Sequence, residues 1–390
     1  MARPVVTAET HRPTLFEVFF DLVLVFGLIR VTSFMSERPA PVTLVQGLLV
    51  LMLLWNSWLV YAWLGNSVRI DVGPSCAGVT VAMGAIFLMA LVIPEVWETG
   101  PGTTMPRLIL VLSYAVVRTI QFILFHWVAS DEPRMLRTVR LYSLTTALSF
   151  VPLVLGATFG GTSQILLWAA ALVVDMSGGV LALLLSGWPV RSPGHFVERH
   201  GLVVIIALGE SLISVSAGVG TQMIRGQTLV AGLLTLSVTG GLYWLYFASA
   251  GNAGRALTTR SGLRRGFVAG NAYSVAHLPL LAGTIYVALG VEEVLAELGH
   301  GTLGWIPATA LFGGTALYLA GRATFLVLSV RCVRPEQFLA PGVALLLLPV
   351  GRHLPALGAL GLLTVFLAAL LGYEAWTRRA SDMTSSNAIK

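Results

Sequence analysis

The chain is predicted to be an all-α integral membrane protein of about twelve transmembrane helices, on three observations. Its 390 residues are 56% hydrophobic and only 11% charged, whereas a soluble domain keeps roughly a quarter of its residues charged. The apolar residues gather in runs of about twenty, the length that crosses the hydrocarbon core of a bilayer as a helix. The basic residues crowd into alternate gaps between those runs, which is the mark of membrane topology. Length alone would suggest two or three soluble domains, but that prior does not hold for stacked spans.

Taken in order, the runs fall at about 14–35, 42–63, 77–94, 106–128, 138–158, 163–185, 196–219, 227–249, 267–291, 303–330, 337–351 and 354–376. The eleventh is short. Proline and glycine punctuate the gaps, as at Gly73-Pro74, Gly160-Gly161 and Ser192-Pro193-Gly194. The first run carries Glu17 and Asp21 and shows no cleavable leader pattern. The tail from Ala380 to Lys390 is polar and is expected to be disordered. Cys76 and Cys332 lie far apart and form neither a disulfide framework nor a metal spacing.

Charge sets the expected orientation. With twelve alternating spans, seventeen of the 24 Lys and Arg fall on the side of the N-terminus. Only Arg38, Arg107, Arg225 and Arg352 fall on the other, and Arg30, Arg118 and Arg322 lie within spans. That bias places both termini in the cytoplasm. The net charge of +6 therefore reflects topology, and no nucleic-acid partner is expected.

The two halves resemble each other in order. Pro13, Phe16, Leu22, Val23 and Arg30 align without gaps with Pro193, Phe196, Leu202, Val203 and Glu210. Trp58-x-x-Tyr61-x-x-x-Gly65-Asn66-x-x-Arg69 matches Trp244-x-x-Phe247-x-x-x-Gly251-Asn252-x-x-Arg255, and Tyr114-x-x-x-Arg118 matches Tyr318-x-x-x-Arg322. These matches predict two parallel six-helix repeats, 1–185 and 186–379, with a site at their interface.

Ionisable residues inside the spans are the candidate functional groups, because each is costly in hydrocarbon. They are Arg30, Arg118, Asp175, Glu210 and Arg322, joined by His277. Arg30 and Glu210 occupy equivalent positions with opposite charge and would pair across the repeat. Tyr114 and Arg118, like Tyr318 and Arg322, share a helix face and would present a carboxylate or phosphate with a guanidinium fork beside a phenol. The competing reading is that these charges only lock helices together. For His277 a packing role is the simpler one.

At the N-terminal ends of spans 1 and 7 lie Glu17, Asp21, His195, Glu198, Arg199 and His200. They suit a gate, a proton-access path shared with Asp175, or acid–base chemistry at the interface. A charged interfacial flank explains them equally well. The two histidines are five apart, unlike a helical zinc motif, so no metal site and no cofactor are expected. Trp55, Trp58, Tyr61, Trp63, Trp188, Trp244 and Trp376 lie near span ends and read as an aromatic belt.

The stretch from Phe16 to Phe26, FEVFFDLVLVF, resembles the opening signature of the bacterial low temperature requirement A family. The stretch from Gly194 to Ser211, GHFVERHGLVVIIALGES, resembles its second signature. Looser similarity includes Tyr114-x-x-x-Arg118, Asp175 and the Tyr243–Phe247 motif, after which Ala248 stands where many members carry Asp. The resemblance implies a polytopic bacterial inner-membrane protein, linked by name to growth in the cold. It also implies that Glu17, Asp21, His195, Glu198, Arg199, Glu210 and Ser211 belong to the family pattern.

Three functions follow as expectations. The first is a secondary transporter of a small anionic or amphipathic solute, with protons as the coupling ion and Arg30, Arg118, Glu210 and Arg322 lining its cavity. The second is an intramembrane enzyme acting on a lipid or apolar metabolite through Glu17, Asp21, Glu198 and His200. The third is a non-transporting factor that senses temperature or lipid state. Partners are the lipid bilayer and a small molecule, and the oligomeric state is left open.

Overall fold

The structure, a computed structural model, describes residues 4–100, 102–220, 225–299, 301–330 and 334–387, the side chains of Ser186 and of 380–387 excepted. Twelve helical segments follow one another among these residues. They are α1 (Leu15–Glu37), α2 (Pro41–Ser67), α3 (Gly73–Val92), α4 (Thr104–Val128), α5 (Pro133–Phe159) and α6 (Gly161–Ser186). Then come α7 (Pro193–Val219), α8 (Gly226–Thr258), α9 (Gly262–Ala296), α10 (Trp305–Val330), α11 (Pro335–Gly351) and α12 (Ala356–Asn387). Eleven are long and apolar enough to cross a membrane, and α11, the eleventh predicted run, is the short one. No strand occurs among the described residues, only isolated bridges such as Val6 with Val68. The protein is thus an all-α multi-pass membrane protein. Exposed Leu112, Val116 and Ile123 on α4, with Leu148 and Val151 on α5, give these helices faces suited to lipid.

Local sequence starts and joins the helices. Thr14 caps α1, its hydroxyl accepting from the Glu17 amide while Glu17 Oε2 accepts from the Thr14 amide at 2.8 Å. This reciprocal capping box satisfies two of the donors a helix start leaves open. Proline opens the first turn of α2, α3 and α5, where its missing N–H costs nothing. A single residue, Gly160, joins α5 to α6 at φ 69°, a conformation a side chain would strain. The hairpin packs tightly: a Cβ at Gly156 would lie 2.6 Å from Trp168 Cδ1.

Two helices are interrupted. Ala269–Val275 of α9 and Thr309–Gly313 of α10 are wound as π-helix, a form that recurs at functional sites. The helix of α12 continues through the segment predicted to be a disordered tail, as far as Asn387, and the last three residues lie outside those described. Cys76 is a free thiol, and Cys332 lies outside the described residues.

The chain divides into two compact units. The first comprises Met1–Ile206, Asn252–Leu278 and Thr324–Arg331. The second comprises Ala207–Gly251, Pro279–Ala323 and Cys332–Lys390. Their boundaries run through α7, α8, α9 and α10 and do not coincide with a cut at 185/186.

Candidate functional site

Three polar constellations lie within the first unit. The one nearest the chain start joins the N-terminal ends of α1 and α7 to the C-terminal end of α2. Glu17 and Asp21 stand one turn apart on α1, and His195 and Arg199 one turn apart on α7. His195 Nε2 lies 2.8 Å from Glu17 Oε1. Arg199 Nη1 donates to Asp21 Oδ2 at 2.7 Å and to the Glu17 carbonyl at 2.8 Å. Trp58 Nε1 donates to Asp21 Oδ1 at 2.7 Å, and the guanidinium of Arg199 sits 5.4 Å from the Trp58 ring centre. All four charged or titratable side chains are at most 2% exposed. Gly65 on α2 makes room for them, since a Cβ there would lie 2.6 Å from Glu17 Oε1.

The segment before α1 covers this cluster. Thr7 bonds to the end of α2 through its amide and its hydroxyl. Ser192 Oγ donates to the Glu9 and His11 carbonyls at 2.9 and 3.1 Å. Asn66 Nδ2 donates to the Ser192 carbonyl, and its Oδ1 accepts from the Arg191 amide at 2.9 Å. His11 then stacks on His195 with ring centres 5.3 Å apart. Burial, reinforced by the charge of neighbouring His195, holds the His11 imidazole below its usual pKa. His11, Glu17 and His195 each offer a ligand atom, all within 4.8 Å of one another.

The second constellation centres on Asp175 of α6. Its Oδ2 accepts from Asn56 Nδ2 of α2 and from Tyr114 OH of α4, both at 2.6 Å. Its Oδ1 accepts from Arg118 Nη2 of α4 at 3.0 Å and from Thr146 Oγ1 of α5 at 2.5 Å. The Arg118–Asp175 pair is buried, 1% and 2% exposed, and Arg118 also lies 4.8 Å from the Tyr142 ring centre. Among the described residues, Arg118 Nε and Nη1 have no hydrogen-bond partner. Asp175 ties four helices together, so the expected gate residue and the Tyr114–Arg118 pair have their partners inside the protein.

Beside this knot lies the third, an aromatic cavity of about 100 Å³. Trp55 and Trp63 of α2, Phe125 of α4, Tyr142 of α5, Trp188 and the π-turn residues Gly270, Asn271 and Ser274 line it. Trp55 Nε1 and Trp63 Nε1 donate to the carbonyl and hydroxyl of Ser274, which hold the π-turn against α2. Gln121 of α4 also lines the cavity. It is 1% exposed, and among the described residues neither its Oε1 nor its Nε2 has a partner. A buried amide without partners costs about 1–3 kcal/mol for each unmet group.

The aromatic-belt reading is corrected for most of its members. Trp55, Trp58 and Tyr61 are wholly buried, and Tyr61 OH donates to the Val117 carbonyl at 2.9 Å. Trp63 and Trp188 line the cavity, while Trp244 and Trp376 are 61% and 67% exposed, as a belt residue would be. Distance to a span end does not reveal whether a helix turns its tryptophan inward.

His200 and His277 face each other with ring centres 5.2 Å apart, surrounded by Trp58, Phe196, Tyr273 and Phe325. His277 Nδ1 lies 3.0 Å from the Ala272 carbonyl, inside the π-turn. Glu198 stands apart from the cluster around Glu17. It is half-exposed and faces exposed Arg12 at 3.8 Å. Arg30 belongs to the first unit, with a buried Nε that has no partner among the described residues, and Glu210 to the second, where it is buried.

In the second unit Arg322 of α10 meets Glu374 of α12 in a two-pronged pair at 2.7 and 2.8 Å, both side chains buried. Arg322 also donates to the Leu245 carbonyl and to Ser249 Oγ of α8. Tyr318 OH donates to the Leu242 carbonyl at 2.8 Å.

A family model for the bacterial low temperature requirement A protein matches residues 12–372. The chain belongs to that family. An uncharacterized protein of Rhizobium meliloti (strain 1021), RA0937, is 26% identical over 322 residues, covering 78% of this chain and 75% of the relative. No solved structure gives a significant match.

Of the residues the low temperature requirement A signatures contain, the structure gathers Glu17, Asp21, His195 and Arg199 into one cluster and leaves Glu198 outside it. Sequence reading did not single out His11, Asn56, Thr146 or Glu374, whereas Gln121 is legible as an extension of the Tyr114–Arg118 helix face. Glu374 was legible in principle, as the one acid in the last span. His11, Asn56 and Thr146 are ordinary polar residues whose partners are distant in sequence.

Proposed function

We propose that this low temperature requirement A protein is a secondary transporter, and that its solute is small and amphipathic, with an apolar body and a carboxylate or carboxamide head. What carries the reading is Gln121: an amide with both polar atoms unmatched, facing an aromatic cavity among membrane-spanning helices. Pockets of this make-up, apolar walls with a few convergent polar groups, are where small molecules bind. An amide left open on both sides is matched by a head that accepts from its N–H and donates to, or is bridged to, its oxygen. Arg118, with two unpaired nitrogens on the same helix one turn away, favours a head that carries negative charge. Glu210, buried in α7, is the group we assign to the coupling proton, and the cytoplasm is the side we assign to both termini. A duplicated architecture is supported by the two buried pairs: Arg118 with Asp175 joins helices 4 and 6, and Arg322 with Glu374 joins helices 10 and 12.

The test is a thermal-shift screen of purified protein against small aliphatic and aromatic carboxylates and carboxamides, followed by uptake into proteoliposomes. A hit should show saturable uptake driven by a pH gradient. Gln121→Leu should abolish both the shift and the uptake. Glu210→Gln should abolish gradient-driven uptake while leaving solute exchange. Uptake unchanged in Gln121→Leu would place the solute elsewhere.

The enzyme reading has one observation in its favour, the convergence of Glu17, Asp21, His195 and Arg199. Against it, these side chains are buried and bonded to one another, and the other two acid–base candidates, Glu198 and His200, lie outside the group. Chemical conversion of a bound solute in detergent, with no uptake, would reverse this preference.

A further inference from the structure

We propose that His11, Glu17 and His195 form a binding site for a first-row divalent metal ion of the zinc class, tying the N-terminal segment to α1 and α7. The three ligand atoms lie within 4.8 Å of one another. Ligands around tetrahedral zinc, each at about 2.0–2.1 Å, stand about 3.3 Å apart, so the trio needs only a modest contraction. Two imidazoles and one carboxylate make the donor set of open zinc and iron(II) sites, which leave positions for water.

Three further features point to an ion. His195 is wholly buried, and among the described residues its Nδ1 has no partner while its Nε2 engages Glu17. Nε2 of His195 and Oε1 of Glu17, 2.8 Å apart, can turn together onto one ion, which would take the place of the hydrogen bond between them. The carboxylate is itself oriented, through the Thr14 amide on Glu17 Oε2. The local charge also suits a cation, because Arg199 is matched by Asp21 at 2.7 Å and Glu17 remains over. Arg199 Nε stands 4.0 Å from Glu17 Oε1 and opposes the ion, as does Arg69, which is itself paired with Asp71. His11 is only part-buried and lies outside the spans, so it provides the way in from water.

Spacing along the chain does not reveal this site, because its ligands come from a covering segment, a helix start and a helix in the other half. The proposal is tested on full-length protein purified without a polyhistidine tag. Metal content by mass spectrometry should approach one ion per chain after dialysis against Zn²⁺. Co²⁺ added to metal-free protein should give visible ligand-field absorption. His11→Ala should weaken Co²⁺ and Zn²⁺ binding at least tenfold while leaving the melting temperature of the metal-free protein close to wild type. If that variant is not recovered folded, Zn²⁺ should protect His11 and His195 of the wild type from diethyl pyrocarbonate. The proposal is overturned by wild-type protein that holds no stoichiometric metal, by binding that His11→Ala does not weaken, or by modification of both histidines at the same rate with and without Zn²⁺.

Discussion

Replacing Asp175 by asparagine keeps shape and volume, so it isolates the charge at the centre of the first unit. Each carboxylate oxygen accepts from two donors: Oδ1 from Arg118 and Thr146, Oδ2 from Asn56 and Tyr114. Whichever way the new amide turns, its NH₂ faces an N–H donor, of Arg118 or of Asn56, and that hydrogen bond is lost, while the neighbouring hydroxyl of Thr146 or Tyr114 can turn to accept. Arg118, 1% exposed, is left without a counter-charge. Breaking a buried pair from one side costs about 3–5 kcal/mol. The expected loss for Asp175→Asn is therefore about 3–5 kcal/mol, read by equilibrium unfolding in mixed micelles with SDS as denaturant. Arg118→Gln in the same background removes the stranded charge and keeps a hydrogen-bonding side chain. The double variant should recover part of the loss, with a coupling energy of at least about 1 kcal/mol. A loss under about 1 kcal/mol for Asp175→Asn, or strict additivity of the two changes, would refute the reasoning that Asp175 serves chiefly to neutralise Arg118 and join helices.

Other perturbations separate the constellations. Gln121→Leu removes two unmet polar atoms and should leave the solute-free protein as stable as wild type or up to about 3 kcal/mol more stable in the same unfolding assay, the signature of a group kept for binding. Glu374→Gln should cost about 3–5 kcal/mol, matching Asp175→Asn, because Arg322 is stranded in the same way. Gly65→Ala would bring a Cβ to 2.6 Å from Glu17 Oε1; it should lower the melting temperature and reduce the metal affinity of the His11–Glu17–His195 site. Asp71, outside the spans, is held below the usual carboxylate range by its hydrogen bonds from Arg69. Its contribution is present above about pH 4, its unfolded value, and fades as acid protonates it. Asp71→Asn should therefore cost less than about 1 kcal/mol at pH 7, and the difference should shrink in melts run at falling pH.

The class of the protein was legible in the chain alone. Runs of apolar residues broken by Gly and Pro must become helices in a bilayer, since only a helix satisfies its own backbone there. The predicted runs correspond one to one with α1 to α12, including the short eleventh. The list of costly intramembrane groups was legible too, because rarity in an apolar run marks them without any knowledge of the fold. What each one does was not. Arg118 and Tyr114 share a helix face by spacing alone, yet nothing local says that Asp175, 57 residues beyond Arg118, lies opposite them. Glu17 looks like an ordinary capping acid at a helix start, and it is one, through Oε2. Its other oxygen, turned to His195 across 178 residues, is visible only once α1 and α7 are packed. The same holds for Gln121, whose lack of partners has meaning only beside an aromatic cavity. Helix formation follows from short-range pattern and from the solvent. The pairing of polar groups inside the membrane follows from which helix faces meet, and tertiary packing alone decides that.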